Sequence, residues 1–316
     1  MRQEIEMSNT KKFLVNLAYD LKWKIKRLVY CSRHCIRILD IITNSGNDNQ
    51  KYFLSIAITI KNEAKYMKEW LDYHLMIGVD HFYIYDNRSI DNLSEVLAPY
   101  ITNGNVTYTK WNGKNQQLEI YKHAITNYKD ETTWMALLDA DEFLVSLTEQ
   151  NIIDFLKCLN TNVAQVILGW MVFGSSGKKT YENDFVLERF KMHAKNSWIA
   201  DSKPIIRPKY FLNISIPHWV DVFGKTVDEN EKKLQRYPQI NLVSSVPMPK
   251  LKFRINHYYS KSWEEFESKR NRGFADHEGL ERTKNDFLEH DQNDISDDSI
   301  DSIIHKLKEI RARRSN

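Results

Sequence analysis

The chain has little of what builds disulfide frameworks and glycine-rich nucleotide loops. Among its 316 residues there are three cysteines, Cys31, Cys35 and Cys158. This odd and sparse number argues against a disulfide framework and favours a reducing compartment. Only ten glycines are present, and they form neither Gly-x-Gly-x-x-Gly nor Gly-x-x-x-x-Gly-Lys-Ser/Thr. The sequence therefore indicates neither a dinucleotide-binding loop nor a P-loop.

Long apolar runs and a strong excess of charge are missing as well. No stretch reaches the roughly 18 consecutive apolar residues that indicate a transmembrane helix, and the first residues lack the apolar region of a signal peptide. The net charge is only +3, which gives no indication of nucleic-acid binding. We therefore expect a cytoplasmic protein without a transmembrane helix and without a nucleic-acid partner.

Positive charge is nevertheless concentrated near the start of the chain. Residues 11–40 carry eight lysines and arginines against Asp20 and Asp40, and their leucines recur at helical spacing. This pattern predicts a basic amphipathic helix. Such a helix packs on the rest of the protein or on a second copy in a homodimer, or it binds the anionic inner face of a membrane.

Four strand patterns alternate with three helix patterns after the polar linker at 44–50. The predicted strands are 52–60, 81–85, 106–111 and 134–138, and the predicted helices are 62–75, 93–100 and 116–128. This order predicts an α/β fold with a mainly parallel central sheet flanked by helices. A further short strand is predicted at 186–190. Composition divides the chain into a basic helix and linker (1–50), the α/β domain (51–275), and an acidic segment with a C-terminal helix (276–316).

Three carboxylates follow the fourth predicted strand. The apolar run Met135–Leu138 ends in Asp139, Asp141 and Glu142, and carboxylates at the end of a buried strand are costly unless something pairs with them. Mn²⁺ and Mg²⁺ take oxygen ligands, often together with phosphate oxygens of a substrate. Ligands of open α/β sheets also bind at the carboxyl ends of the strands. The motif therefore predicts a metal–phosphate site, although a bare Asp-x-Asp is also compatible with a solvated turn.

A second acidic residue is expected at the same edge of the sheet. Asp86 ends the second strand as Asp139 ends the fourth. A strand-end aspartate often only caps a turn. Two acidic positions on one edge favour a nucleotide, with one acid for the base or ribose and the other for metal and diphosphate.

Six short blocks between about residues 54 and 273 are together similar to glycosyltransferase family 92 and to related bacterial GT-A glycosyltransferases of the family 2 type. The blocks are Lys61-Asn62-Glu63, Tyr85-Asp86-Asn87, Asp139-Ala140-Asp141-Glu142-Phe143, Trp170 with Phe173-Gly174-Ser175-Ser176-Gly177, Lys203 with Arg207-Pro208, and Asn256-His257-Tyr258 with Lys261-Ser262. The resemblance implies a GT-A fold over residues 51–275.

The resemblance also implies roles for single residues. Asp139 and Asp141, with His257, would bind Mn²⁺ or Mg²⁺, and Asp139 would also contact the donor. Lys261 would meet the donor phosphates, and Asp86 would meet the nucleotide base.

Further donor and acceptor contacts are implied around this core. Asn62 and Glu63 would lie near the nucleotide, although helix capping explains them equally well. Trp170 and Phe173 would offer apolar faces to an acceptor sugar, or belong to the core.

Family 92 resembles inverting enzymes, which need a carboxylate base. Glu188 and Asp201 are the candidate bases, and an ion pair with a nearby arginine or lysine explains Glu188 equally well.

The expected function is therefore metal-dependent transfer of a sugar from a nucleotide-sugar donor to a glycan or lipid-linked glycan. By resemblance, the donor would be UDP-linked, with galactose as a candidate sugar, and the product a bacterial surface polysaccharide such as lipopolysaccharide or capsule. Two alternatives stay open. One is an inactive GT-A-fold scaffold or peripheral membrane component, and the other is a metal-dependent nucleotidyltransferase.

Overall fold

The computed structural model describes residues 29, 32, 34–43, 50–114, 116–195, 201–234, 236–237, 242–243, 252–272 and 281–315. It divides into two compact units, 1–48 and 49–316. In the first unit, helix α1 spans Cys35–Thr43, which confirms only the last part of the helix predicted at 11–40. Most of that prediction lies outside the described residues. No helix in the described ranges is long and apolar enough to cross a lipid bilayer.

The second unit alternates strands and helices. Its strands are β1 (Tyr52–Ile60), β2 (His81–Asp86), β3 (Val106–Lys110), β4 (Thr132–Leu138), β5 (Glu142–Ser146), β6 (Val163–Val172), β7 (Met192–His193), β8 (Ser202–Ile206), β9 (Phe211–Ile216), β10 (Trp219–Val222), β11 (Lys225–Val227), β12 (Arg236–Tyr237), β13 (Leu242–Val243), β14 (Phe253–His257) and β15 (Ile295–Ser296). Its helices are α2 (Ala64–Met76), α3 (Leu93–Thr102), α4 (Gln117–Asn127), α5 (Ile152–Cys158), α6 (Val186–Arg189), α7 (Trp263–Arg272), α8 (Lys284–His290) and α9 (Asp301–Ser315).

Within the described residues, nine strands form one sheet in the order β3-β2-β1-β4-β8-β6-β14-β5, with β11 also paired to β6. Strands β3, β2, β1 and β4 are all parallel. Strand β8 is antiparallel to both β4 and β6, and β14 and β11 run parallel to β6. Strand β5 pairs antiparallel with β14 at the edge. Parallel pairs predominate, so the predicted α/β fold with a mainly parallel central sheet is confirmed.

Both faces of the parallel strands are covered, which explains why their sequences show no alternation. In β1, Ile56 and Ile58 belong to the core cluster that contains Trp70 of α2. Ala57, which lies between them, belongs to a second cluster with Tyr121 of α4. The sheet is therefore a middle layer between helices on either side.

Strand register brings residues that are distant in sequence to one edge of the sheet. Parallel pairing places the carboxyl ends of β1, β2 and β4 together. Because β8 is antiparallel to β4, with Ala136 opposite Ile205, Lys203 lies near the end of β4. His257 at the end of β14 pairs with Glu142 at the start of β5.

The short strand predicted at 186–190 is wrong, because Val186–Arg189 form helix α6. The first N–H groups of a helix have no partner within it. Here the buried carboxylate of Glu69, on α2, accepts hydrogen bonds from the backbone N–H groups of Val186 and Leu187 at 2.8 and 3.1 Å. This contact between distant parts of the chain stabilises a helical turn in a sequence that reads locally as a strand.

Candidate active site

A buried lysine lies between two of the carboxylates that follow β4. Lys203 of β8 is fully buried, and its Nζ donates to Asp139 Oδ2 at 2.6 Å and lies 3.3 Å from Glu142 Oε2. The other oxygen of Asp139, Oδ1, accepts hydrogen bonds from Gln117 Nε2 at 2.7 Å and from the Tyr121 hydroxyl at 3.2 Å. Both oxygens of Asp139 are engaged, yet 31% of its side chain is exposed and accessible to a ligand.

Burial and the lysine together set the charges of this cluster. Burial raises the pKa of Glu142 well above its usual range, which favours the neutral acid. Burial also disfavours charge on Asp139, but the Lys203 ammonium outweighs it and lowers the pKa of that carboxyl. Burial likewise opposes charge on Lys203, yet the carboxylate of Asp139 raises its pKa well above the usual value. The cluster therefore balances one ammonium against one carboxylate, with Glu142 neutral.

The second aspartate of the motif has different partners. Asp141 and His257 are both 6% exposed, and Asp141 Oδ1 lies 3.6 Å from His257 Nε2. Asp141 Oδ2 forms an ion pair with the ammonium of Lys269 on α7. That ammonium also donates to the carbonyl oxygen of Tyr259 at 3.1 Å.

Burial again opposes the charge of this second pair. It disfavours the ionised form of Asp141, but Lys269 and then His257 hold the pKa of Asp141 well below its usual range. Burial lowers the pKa of His257. Its imidazole is therefore neutral at neutral pH, which is the form that binds metal ions.

Two of the three predicted metal ligands come together, and the third has other partners. Among the described residues, no three His, Cys, Asp or Glu side chains are arranged to hold a metal ion. Asp139 is bound by Lys203. Asp141 and His257 fit a divalent cation as a pair, because a carboxylate oxygen and a neutral imidazole nitrogen face each other at 3.6 Å and both are metal donors.

Lys261 is positioned by a buried network at the start of α7. Its ammonium lies 4.1 Å from the centre of the Tyr66 ring, and its backbone has a left-handed φ of 50°. The Tyr66 hydroxyl donates to Glu265 at 2.8 Å, and Glu265 also accepts two hydrogen bonds from Arg189 at 2.8 and 2.9 Å. Ser262 and Glu265 form a capping box. These contacts hold the turn that carries Lys261.

The residues predicted near the nucleotide lie in the loops after β1 and β2. Asp86 is buried and accepts hydrogen bonds from the backbone N–H of Ser89 at 2.7 Å and from the hydroxyl of Tyr108 at 2.5 Å. The backbone N–H of Asn62 donates to the Ser89 hydroxyl at 3.0 Å. Glu63 is 6% exposed and precedes α2 without a side-chain capping bond. Asp86 and Asn62 thus join the two loops at the edge where Asp139 lies.

The two predicted acceptor-binding aromatic residues have different neighbours. The Trp170 ring lies 4.3 Å from the His257 ring and 5.0 Å from the His218 ring, between centroids. Phe173 is 1% exposed and stacks on Tyr258 at 4.9 Å. Both residues thus belong to the hydrophobic core, and Trp170 differs from Phe173 in that its ring contacts His257 and His218.

The two candidate bases, Glu188 and Asp201, also have different neighbours. Glu188 forms an ion pair with Lys308 of α9 at 2.7 Å, and its side chain is 39% exposed. The backbone carbonyl oxygen of Asp201 accepts from the N–H of Trp170 at 2.9 Å, and its carboxylate lies 3.2 Å from His218 Nδ1. Burial raises the pKa of Asp201 to about 6. The structure brings Asp201 to the site and leaves Glu188 on the surface.

Comparison with known proteins identifies the family. A model of glycosyltransferase family 92 matches residues 52–289, a range that holds every site residue described above. The chain belongs to glycosyltransferase family 92. A family 92 protein of Oryza sativa subsp. japonica is 26% identical over 68% of this chain and 35% of its own length. One of Arabidopsis thaliana is 26% identical over 69% of this chain and 37% of its own. The match thus spans about a third of these plant relatives' length.

Some solved structures share part of the fold. A fragment of S. aureus TarS in complex with UDP is 14% identical, covers 49% of this chain and 47% of its own, and has a TM-score of 0.33. Glucosyl-3-phosphoglycerate synthase from Mycobacterium tuberculosis, in complex with Mn²⁺, UDP and glucosyl-3-phosphoglycerate, is 14% identical, covers 38% of this chain and 44% of its own, and has a TM-score of 0.26. TM-scores this low support no inference for the family 92 chain.

Three site residues of this family 92 chain have roles that the sequence did not predict. Lys203 stood in a matching block without a role, and Lys269 and His218 were not singled out. A signal for Lys203 exists, because a lysine in the otherwise apolar strand Ser202–Ile206 must find a buried partner. Lys269 lies in the polar helix α7, with mean hydropathy well below zero, and nothing in its spacing marks it.

We expect Lys203→Met to lower the free energy of unfolding by about 2–3 kcal/mol, because it leaves the partly buried carboxylate of Asp139 without its ammonium. Glu142→Gln should cost about 1 kcal/mol, since it replaces a neutral acid by a neutral amide. Urea unfolding of both variants measures the difference. Equal losses in the two variants would show that Glu142 is ionised and that the charge balance is wrong.

Proposed function

We propose that this chain transfers a sugar from a nucleoside-diphosphate sugar to a hydroxyl group of a glycan or lipid-linked glycan. The observation that carries the proposal is the convergence of Asp141, His257 and Lys269 at the edge where Asp139 ends a parallel strand. Membership of family 92 supports the same reaction class. Retention of these groups, together with Lys261, argues against an inactive scaffold.

The donor we propose is UDP-linked, with galactose as the first sugar to test. Asp141 and His257 would hold Mn²⁺ or Mg²⁺, which supplies charge neutralisation for the departing diphosphate. Lys261 would add a positive contact to the same phosphates. Asp86 and Asn62 would shape the nucleoside end of the site through the loops they join.

The proposed base is the carboxylate of Asp201, which would accept the proton of the acceptor hydroxyl. The backbone of Asp201 is hydrogen-bonded to that of Trp170, whose ring would pack against the acceptor sugar. Burial lowers the pKa of His218 to about 3, so the imidazole that lies 3.2 Å from Asp201 is neutral. Because the His218 imidazole is neutral, it can orient the Asp201 carboxylate without neutralising the charge of that carboxylate.

We further propose that the acceptor belongs to a surface polysaccharide and that residues 11–40 bring the enzyme to an anionic membrane. In α1, Ile36 and Leu39 are 82% and 60% exposed. Such apolar side chains next to basic residues suit the boundary between headgroups and acyl chains. Packing on a second copy of the chain is the competing explanation.

Asp141→Asn should abolish Mn²⁺-dependent binding of UDP while the protein stays folded, because a neutral amide is a poor ligand for the cation yet can still accept a hydrogen bond from Lys269. Thermal shift with Mn²⁺ and a panel of UDP-sugars, other nucleotide sugars and nucleoside triphosphates measures it. Unchanged UDP affinity in the variant would contradict the metal site. A preference for triphosphates in the unsubstituted protein would favour a nucleotidyltransferase.

Asp201→Asn should lower kcat by about a hundredfold or more, since an amide cannot take the acceptor's proton. In the unsubstituted enzyme kcat/KM should fall as the pH drops through about 6, where Asp201 becomes protonated, and the variant should lose that dependence. Glu188→Gln is the matched control and should leave the pH profile unchanged. A larger loss in Glu188→Gln than in Asp201→Asn would reverse the assignment.

Replacing Ile36 and Leu39 together by Asp should reduce sedimentation with anionic vesicles, because two charges enter the apolar face of α1. Ile90→Asp is the control, since Ile90 is 92% exposed in the other unit of the chain. Equal sedimentation of both proteins, or a changed oligomeric state in the double variant alone, would favour packing on a second copy.

A further inference from the structure

The carboxylate of Asp141, a proposed ligand of the cation, already forms an ion pair with a lysine. The ammonium of Lys269 is paired with Asp141 Oδ2, while His257 faces Asp141 Oδ1 from 3.6 Å. The side chain of Lys269 is 11% exposed, so solvent screens it poorly. A metal ion on Asp141 Oδ1 and an ammonium on Asp141 Oδ2 would be separated only by the width of one carboxylate.

Two positive charges at that separation repel strongly in a buried place. Asp141 carries one negative charge, which Lys269 already neutralises. A divalent ion that shares this carboxylate therefore gains less from it than it would from an uncompensated aspartate. The contact thus works against cation binding at the position where Asp141 and His257 would hold it.

Tyr259 gives the ammonium two further contacts beside the one with Asp141. Its carbonyl oxygen accepts a hydrogen bond from Lys269 at 3.1 Å, and its ring centre lies 4.0 Å from the ammonium. Lys269 can therefore loosen its contact with Asp141 and keep two favourable contacts. A phosphate group in the site would supply the negative charge that a displaced ammonium then needs.

We propose that Lys269 competes with the divalent cation for Asp141, so that the cation binds tightly only together with the anionic diphosphate of the donor. The inference rests on the proposed function, because it concerns the same metal and donor. It assigns Lys269 as the residue that couples the two ligands. By linkage, the diphosphate raises the affinity for the cation by the same factor by which the cation raises the affinity for the diphosphate.

Calorimetry of Mn²⁺ binding with and without UDP tests the proposal in the unsubstituted chain, Lys269→Met and Lys308→Met. Lys308 is the matched control, because it forms an ion pair with Glu188 at 2.7 Å and is 47% exposed. Without UDP, Lys269→Met should bind Mn²⁺ about tenfold or more tighter than the unsubstituted protein. UDP should then raise its Mn²⁺ affinity by a smaller factor, and Lys308→Met should match the unsubstituted protein in both titrations.

Equal or weaker Mn²⁺ binding by Lys269→Met would overturn the proposal, since it would make Lys269 a support for Asp141 and not a competitor. If that variant does not fold, Lys269→Gln takes its place, because glutamine keeps a hydrogen-bond donor for Asp141 and removes the charge. Equal Mn²⁺ affinity of Lys269→Gln and the unsubstituted chain then overturns the proposal. A wrong proposed function would give a different result from a wrong role of Lys269. In that case the unsubstituted protein would bind no Mn²⁺ even with UDP in excess. That result would also overturn the coupling.

Discussion

The site depends on one buried ammonium. Lys203 is fully buried and donates to Asp139 at 2.6 Å, which allows an ionised carboxylate to lie where a core strand ends. Without Lys203, the partly buried carboxylate of Asp139 would lose the only ammonium that contacts it in the described residues. Strand β8 supplies this lysine, and its antiparallel insertion between β4 and β6 joins the two halves of the sheet.

The site lies where these halves meet, and each contributes a different chemistry. The parallel half, β3-β2-β1-β4, ends in Asp86 and Asp139 with the loop of Asn62 beside them. The other half brings Trp170 from β6 and His257 from β14. The parallel half thus supplies Asp86 and Asn62, proposed for the nucleotide, and Asp141, proposed for the metal. The other half supplies His257, the second proposed metal ligand, and Trp170.

The sequence predicted the parts of this arrangement that depend on local pattern. Strands β1 to β4 and the carboxylates after β4 follow from apolar runs and their abrupt ends. The helix Val186–Arg189 did not follow, because its cap is Glu69, whose carboxylate bonds to Val186 at 2.8 Å across 117 residues of sequence. The pairing of Lys269 with Asp141 joins residues 128 apart. Phe173 was predicted from a block that resembles the family, and Glu188 as a carboxylate that follows this block. Neither indication contains information on the direction in which a side chain packs.

The most direct test of the account is the position of Mn²⁺ in crystals grown with Mn²⁺ and UDP, located by anomalous diffraction. The account predicts one anomalous peak in bonding contact with Asp141 and His257 and with the UDP phosphates, while Lys203 still contacts Asp139. A peak that touches neither Asp141 nor His257, or bound UDP without any Mn²⁺ at this edge of the sheet, would contradict it.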